Sequence, residues 1–178
     1  YFYKLVIERG PKDFLQGNED LEVSSETLEY FLEGDWIKWT EEQPFTTLNV
    51  TAFDGTPLQG YYLKAKEPTN KMVIFAHGYL GHAFDMGLFG EYYYEQLGYH
   101  IFTPDLRGHG ASGGHYIGFG WHDRLDLIEW IDLLIEQNGE ESEIILHGLS
   151  MGAASVLMAS GEELPEQVKG IVADSPYT

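Results

Sequence analysis

The sequence contains no cysteine, which excludes disulfides and thiolate metal sites. The same absence fits either side of a membrane and does not choose between them. Positive charge is scarce too: 10 Lys and Arg stand against 29 Asp and Glu, a formal charge of -19 at pH 7. Phosphates would be repelled rather than neutralised, which counts against nucleic acid or an anionic membrane surface as partner. No apolar run approaches the roughly 18 residues needed to span a bilayer, and no signal peptide opens the chain. Position 1 is Tyr1 rather than methionine, so the expectation is a processed chain or a fragment that has lost something upstream.

What is present suffices for one core. The 178 residues are 43% hydrophobic and 15% aromatic, which fits a single domain. Residues 1–46 read as an N-terminal extension that packs on that core. Within it Tyr1 to Ile7 is aromatic and apolar, and a short helix is expected over Glu26 to Glu33, closed by Gly34. Trp36 and Trp39, at helical spacing, serve to dock the extension.

From Thr47 the period changes to two. Leu48, Val50 and Ala52 alternate with polar neighbours, Asp54-Gly55 makes a turn, and Leu58 to Leu63 resumes the pattern, which predicts a β-hairpin. Met72 to Ala76 is a fully apolar, buried-type strand ending in His77-Gly78-Tyr79. Helix and strand then alternate: a helix over Gly87 to Leu97, a strand over Tyr99 to Pro104, and an amphipathic helix over Trp121 to Gln137. That last helix carries Leu125, Ile128, Ile131, Leu134 and Ile135 on its predicted inner face. A strand at Ile144, a helix after Ser150 and a last strand over Val168 to Ala173 complete the series. Such alternation implies right-handed crossovers and an α/β fold: a mainly parallel sheet with helices on both faces.

The chemistry concentrates in Glu143 to Ala159. An apolar strand runs into Gly148-Leu149-Ser150-Met151-Gly152, and an apolar helix follows. Strand, G-x-S-x-G and helix is the order of a nucleophile elbow, a turn so tight that flanking side chains would collide. In a parallel sheet ligands sit outside the carboxyl ends of the strands. Three strands end in distinctive sequences, at His77 to Tyr79, Asp105 to Gly110 and Gly148 to Gly152, so these are expected to gather on one edge.

FAHGYLGH, PDLRGHGAS and HGLSMG, in that order and at these separations, resemble the α/β-hydrolase superfamily from about Thr47 to Thr178. The extension and the terminal ADSPYT further resemble a group of bacterial serine hydrolases often carried on an N-terminal membrane anchor. That resemblance implies an extracytoplasmic, anchored protein, with a cytoplasmic location still open. It also implies that Ser150 is the nucleophile of an acyl-enzyme mechanism and that the backbone N–H groups of Tyr79 and Met151 form the oxyanion hole. The expected substrate is a small-molecule or lipid-like ester, with thioesters and amides also open. A peptidase of the same fold or a non-catalytic binding or scaffolding protein is the alternative.

Other conspicuous residues read as structural. His77 and His147 order or pack strand ends, Arg107 and His109 buttress the site, and Asp105 bonds backbone. His82, His115 and His122 are scattered, so neither a metal nor another cofactor is expected. Asp123 and Asp126 open a helix and are read as serving its dipole. The glycine-rich stretch from Gly108 to Gly120 lacks the lysine of a phosphate-binding loop. Tyr92, Tyr93, Tyr94, Tyr116, Phe119 and Trp121 are candidates to line an apolar pocket but are read mainly as core.

The triad is where the sequence runs short. In this family the order is Ser, then Asp or Glu, then His. No histidine follows Ser150, and loss of the base of such a triad lowers turnover on the order of 10⁶-fold. Asp174 is a candidate acid by resemblance, although in most members the acid follows the next strand. The domain over residues 47–178 is therefore expected to be a sheet truncated after its sixth strand. Its lid, base and acid would come from a missing or separate C-terminal segment.

Overall fold

The computed structural model describes residues 1–12 and 33–177. The helix expected over Glu26 to Glu33 lies, save for Glu33, outside them. Helix α1 (Asp35–Glu42) carries the two tryptophans. Trp36 is buried, and the Trp39 ring meets Tyr94 edge-on at 5.8 Å.

Six strands form one sheet: β1 (Thr46–Thr51), β2 (Pro57–Leu63), β3 (Lys71–Ala76), β4 (His100–Pro104), β5 (Glu143–Leu149) and β6 (Val168–Asp174). Their spatial order is β1-β2-β4-β3-β5-β6. β1 and β2 are the predicted hairpin, antiparallel in register Thr46 to Tyr62, and β2 also runs antiparallel to β4. The pairings of β3 with β4 and β5, and of β5 with β6, are parallel. β3 is apolar and buried from Met72 to Ala76 because both of its faces are covered there.

The period-two alternation of β3 divides the core. Met72, Ile74 and Ala76 face one layer, with Phe102, Leu127, Trp130 and Val156. That layer is made by α3 (Asp123–Asn138) and α4 (Met151–Ala159). Val73 and Phe75 face the other, with Leu63, Met86 and Ile101. α2 (Gly87–Glu95) and α1 cover that side, and a 3-10 turn over Ala83–Met86 leads into α2.

One helix face differs from expectation. α3 buries Leu127, Trp130, Ile131, Leu134 and Ile135, together with Asp123 and Asp126, whereas Leu125 and Ile128 are only half-buried. Ile131, Leu134 and Ile135 are buried as predicted; only the first turns differ, where Asp126 points inward to a buried arginine.

Candidate active site

β4, β3 and β5 are adjacent and parallel, so the three distinctive strand ends meet at one edge of the sheet. Ser150 stands there, half-buried, between β5 and α4. Its backbone adopts φ 53 and ψ -110, a conformation that costs a residue with a Cβ about 1 to 3 kcal/mol. Two hydrogen bonds hold it: the Ser150 N–H donates to the Asp174 carbonyl at 2.8 Å, and the Ala154 N–H donates to the Ser150 carbonyl at 3.0 Å. The flanking glycines are required by space. A Cβ on Gly148 would stand 2.2 Å from the carbonyl oxygen of Gly152, and one on Gly152 would stand 1.9 Å from that of Ala76.

The loop after β3 passes beside the serine, since a Cβ on Gly78 would lie 3.7 Å from the Ser150 Cβ. Met151 is the first residue of α4, so its N–H has no acceptor within the helix. Among the described residues the Tyr79 N–H also lacks an acceptor. Both N–H groups are thus left without an acceptor among the described residues, Met151 directly after Ser150 and Tyr79 directly after the glycine beside it.

Two histidines tie this loop to the one after β4. The Leu106 N–H donates to His77 Nε2 at 3.0 Å and the Leu80 N–H to His109 Nε2 at 3.2 Å. Each accepting nitrogen must be unprotonated, so each ring carries its proton on Nδ1 and donates it onward, His77 to the Gly78 carbonyl and His109 to that of Arg107. Burial depresses both rings, His77 to about 4, which keeps them neutral in these roles. Asp105 bonds backbone as expected, its carboxylate accepting the N–H groups of Ala83 and Ala111 at 2.9 and 2.8 Å.

Beneath the loops lies a charge cluster that sequence reasoning missed. Arg107 is 1% exposed and donates through Nε and Nη2 to the two oxygens of Asp126 at 2.7 and 2.6 Å, and through Nη1 to Asp54 at 2.8 Å. Burial works against its charge, yet the hydrogen bonds to Asp126 and Asp54 prevail and hold its pKa above the usual value. Asp123 and Asp126, read from the sequence as serving the helix dipole, do stand in the first turn but are buried. Asp123 is fully buried and accepts the Gly120 N–H at 2.8 Å. The available signal was a lone arginine in a glycine-rich loop, which must find a carboxylate when buried.

Asp174 ends β6 opposite Leu149. Its carbonyl supports Ser150, and its carboxylate accepts the Ser175 hydroxyl at 2.8 Å. None of the seven histidines hydrogen-bonds the Ser150 hydroxyl. The nearest in sequence, His147, packs among the rings of Phe75, Phe89 and Tyr93, and its Nδ1 has no hydrogen-bond partner among the described residues. Among the aromatics, Tyr93 and Tyr94 pack in the core, whereas Tyr92 and Trp121 are 60% and 61% exposed. Tyr79, Phe119 and Tyr177 form a ring contact series beside the elbow, at centroid distances of 5.3 and 6.5 Å.

Known proteins resemble the chain in sequence and in fold. The profile of the family described as "Serine aminopeptidase, S33" matches residues 67–178. The uncharacterized protein YqkD of Bacillus subtilis is 27% identical over 137 residues, 77% of this chain and 44% of that protein. The esterase Pf2001 of Pyrococcus furiosus superposes with a TM-score of 0.67 at 29% identity, over 78% of this chain and 52% of that one. An α/β hydrolase of a Penicillium species, GrgF, shares the fold at a TM-score of 0.64 and 22% identity, over 75% and 46% of the two chains. The chain spans about half the length of these relatives. Because the matched stretch takes in all three strand ends that converge at Ser150, likeness of sequence and likeness of fold agree: the chain belongs to the serine aminopeptidase S33 family of α/β hydrolases.

Proposed function

We propose that this chain carries the nucleophile and oxyanion hole of a serine hydrolase that cleaves esters. The observation that supports it most is the strained backbone of Ser150, φ 53 between two glycines that no larger residue could replace. A binding protein gains nothing from such strain; a nucleophile gains exposure at the edge of the sheet. In the reaction, Ser150 Oγ attacks the ester carbonyl carbon and its proton passes to a base. The carbonyl electron pair moves onto oxygen between the N–H groups of Met151 and Tyr79. The pair returns, the C–O bond to the alcohol breaks, and the alkoxide takes the proton from the base. Water then cleaves the acyl-serine by the same steps.

The base is proposed to come from residues outside this chain, because none of its histidines reaches Ser150. Asp174, whose backbone carbonyl accepts the Ser150 N–H, is retained as the candidate acid. The ester preference draws on the name of the Pyrococcus relative, an esterase; the packed rings of Tyr79 and Phe119 suit an apolar acyl group. The alternative, a non-catalytic binding protein of this fold, is favoured by the lack of any histidine on the Ser150 hydroxyl.

A fluorophosphonate probe applied to the full-length protein is expected to label Ser150, and Ser150→Ala to abolish the label. Labelling that persists in the alanine variant would overturn the assignment. Turnover of a short-chain aryl ester separates the hydrolase from the binding protein.

A further inference from the structure

The loop that presents the Tyr79 N–H has few internal supports. It contains Leu80 at φ 59, a left-handed residue with a side chain, and its backbone is fixed by three hydrogen bonds: Gly81 N–H and His77 Nδ1 to the Gly78 carbonyl, and Leu80 N–H to His109. Tyr79 itself is anchored through its side chain. Its hydroxyl donates to the carbonyl of Val6 at 2.7 Å.

Val6 belongs to a short segment laid across the rim of the site. The Ile117 N–H donates to the Ile7 carbonyl at 2.7 Å, the Arg9 N–H donates to the His115 carbonyl at 2.9 Å, and Glu8 and Tyr116 form an antiparallel bridge. Arg9 then reaches across the glycine-rich loop. Its Nη1 donates to the Ser112 carbonyl at 2.6 Å and its Nη2 to that of Gly110 at 2.7 Å. Among the described residues no carboxylate pairs with Arg9, although the chain carries a net -19. The guanidinium is instead spent on carbonyls that only a planar, multi-donor group can serve together. The contacts close a ring: Val6 to Tyr79, Leu80 to His109, Gly110 to Arg9, and back along the segment to Val6.

We propose that residues 6–9 are a positioning strap for the oxyanion loop, with the Tyr79 hydroxyl and the Arg9 guanidinium as its two points of attachment. The inference rests on the reading of Ser150 and the Tyr79 N–H given above. The strap touches no reacting atom; it fixes the loop so that the Tyr79 N–H meets the oxyanion when charge develops. Releasing either attachment lets the donor wander, and a displacement of about 1 Å at such a group costs up to about 100-fold in rate.

The test is the inactivation kinetics of the full-length protein by an uncharged aryl alkylphosphonate, which forms a tetrahedral adduct on Ser150. Tyr79→Phe keeps the ring and loses only the hydroxyl; Arg9→Ala loses the other attachment. Both are expected to lower the limiting inactivation rate about tenfold while leaving the half-saturating probe concentration within twofold. Arg9→Lys, which keeps one donor at a time, is expected to recover part of the rate. Circular dichroism confirms that each variant is folded, and Tyr79→Phe keeps the proposal testable if Arg9→Ala is not. Inactivation as fast as wild type in folded Tyr79→Phe overturns the strap, as does a loss seen only in the half-saturating concentration. Failure of the underlying reading is distinct: the wild-type protein would then yield no adduct on the Ser150 peptide, which overturns both.

Discussion

Asp123 has no exposed surface, and its Oδ1 lacks a hydrogen-bond partner among the described residues. Burial, with the Gly120 N–H acting in the opposite direction, raises its carboxyl from 3.8 to about 6. Between those values the folded protein holds a proton that the unfolded chain has lost. The stabilisation is complete below about pH 4 and is lost as pH rises through 6, where the buried charge costs about 3 kcal/mol. Asp123→Asn keeps an acceptor for Gly120 and removes the charge, while its unsatisfied N–H groups cost about 1 kcal/mol. We expect a gain of about 2 kcal/mol at pH 7.5 and a loss of about 1 kcal/mol at pH 4, measured by urea unfolding at both. An equal effect at the two pH values would refute the assignment. This residue was not legible in the sequence, where an acid at a helix start reads as a dipole partner. Ser150 was legible, because the G-x-S-x-G spacing states a steric requirement that the contacts of Gly148 and Gly152 bear out.

At the scale of elements, α3 shows how a single ion pair overrides an apolar stripe. The periodicity selects Leu125 and Ile128 for the core, but the inward turn of Asp126 to Arg107 brings in Leu127 and Trp130 instead. Trp130 then lies 4.7 Å from the Phe102 ring. Leu127→Ala should therefore cost about 2 to 5 kcal/mol, and Leu125→Ala less than about 1 kcal/mol, in urea denaturation. Comparable losses would restore the stripe predicted from sequence. The strands were easier to place, since their apolar runs are short, bounded by glycine and asparagine, and either alternate or are buried outright. The strap over residues 6–9 was invisible for the opposite reason: its bonds are to backbone carbonyls, which every sequence possesses.

Across the whole molecule, the hairpin, the alternation of helices and strands, and the meeting of three strand ends follow from sequence order. The spatial order of the strands does not, because several permutations satisfy the same crossovers. β6 pairs with β5 on one side, and no strand lies on its other side among the described residues. Val172 on that strand is 41% exposed. An unprotected apolar edge invites pairing with another copy. The 178-residue chain is expected to self-associate as its concentration rises, and Val172→Lys to suppress this in sedimentation velocity; a wild-type chain monomeric at all concentrations would refute it. The bond from the Ser150 N–H to the Asp174 carbonyl sets an order in time as well as space. During synthesis the serine emerges first, and the stretch up to Asp174 takes about one to five seconds more to be made. Until β6 docks, the turn lacks one of the two bonds that hold it, so Ser150 leaves the ribosome before its strained backbone is fixed.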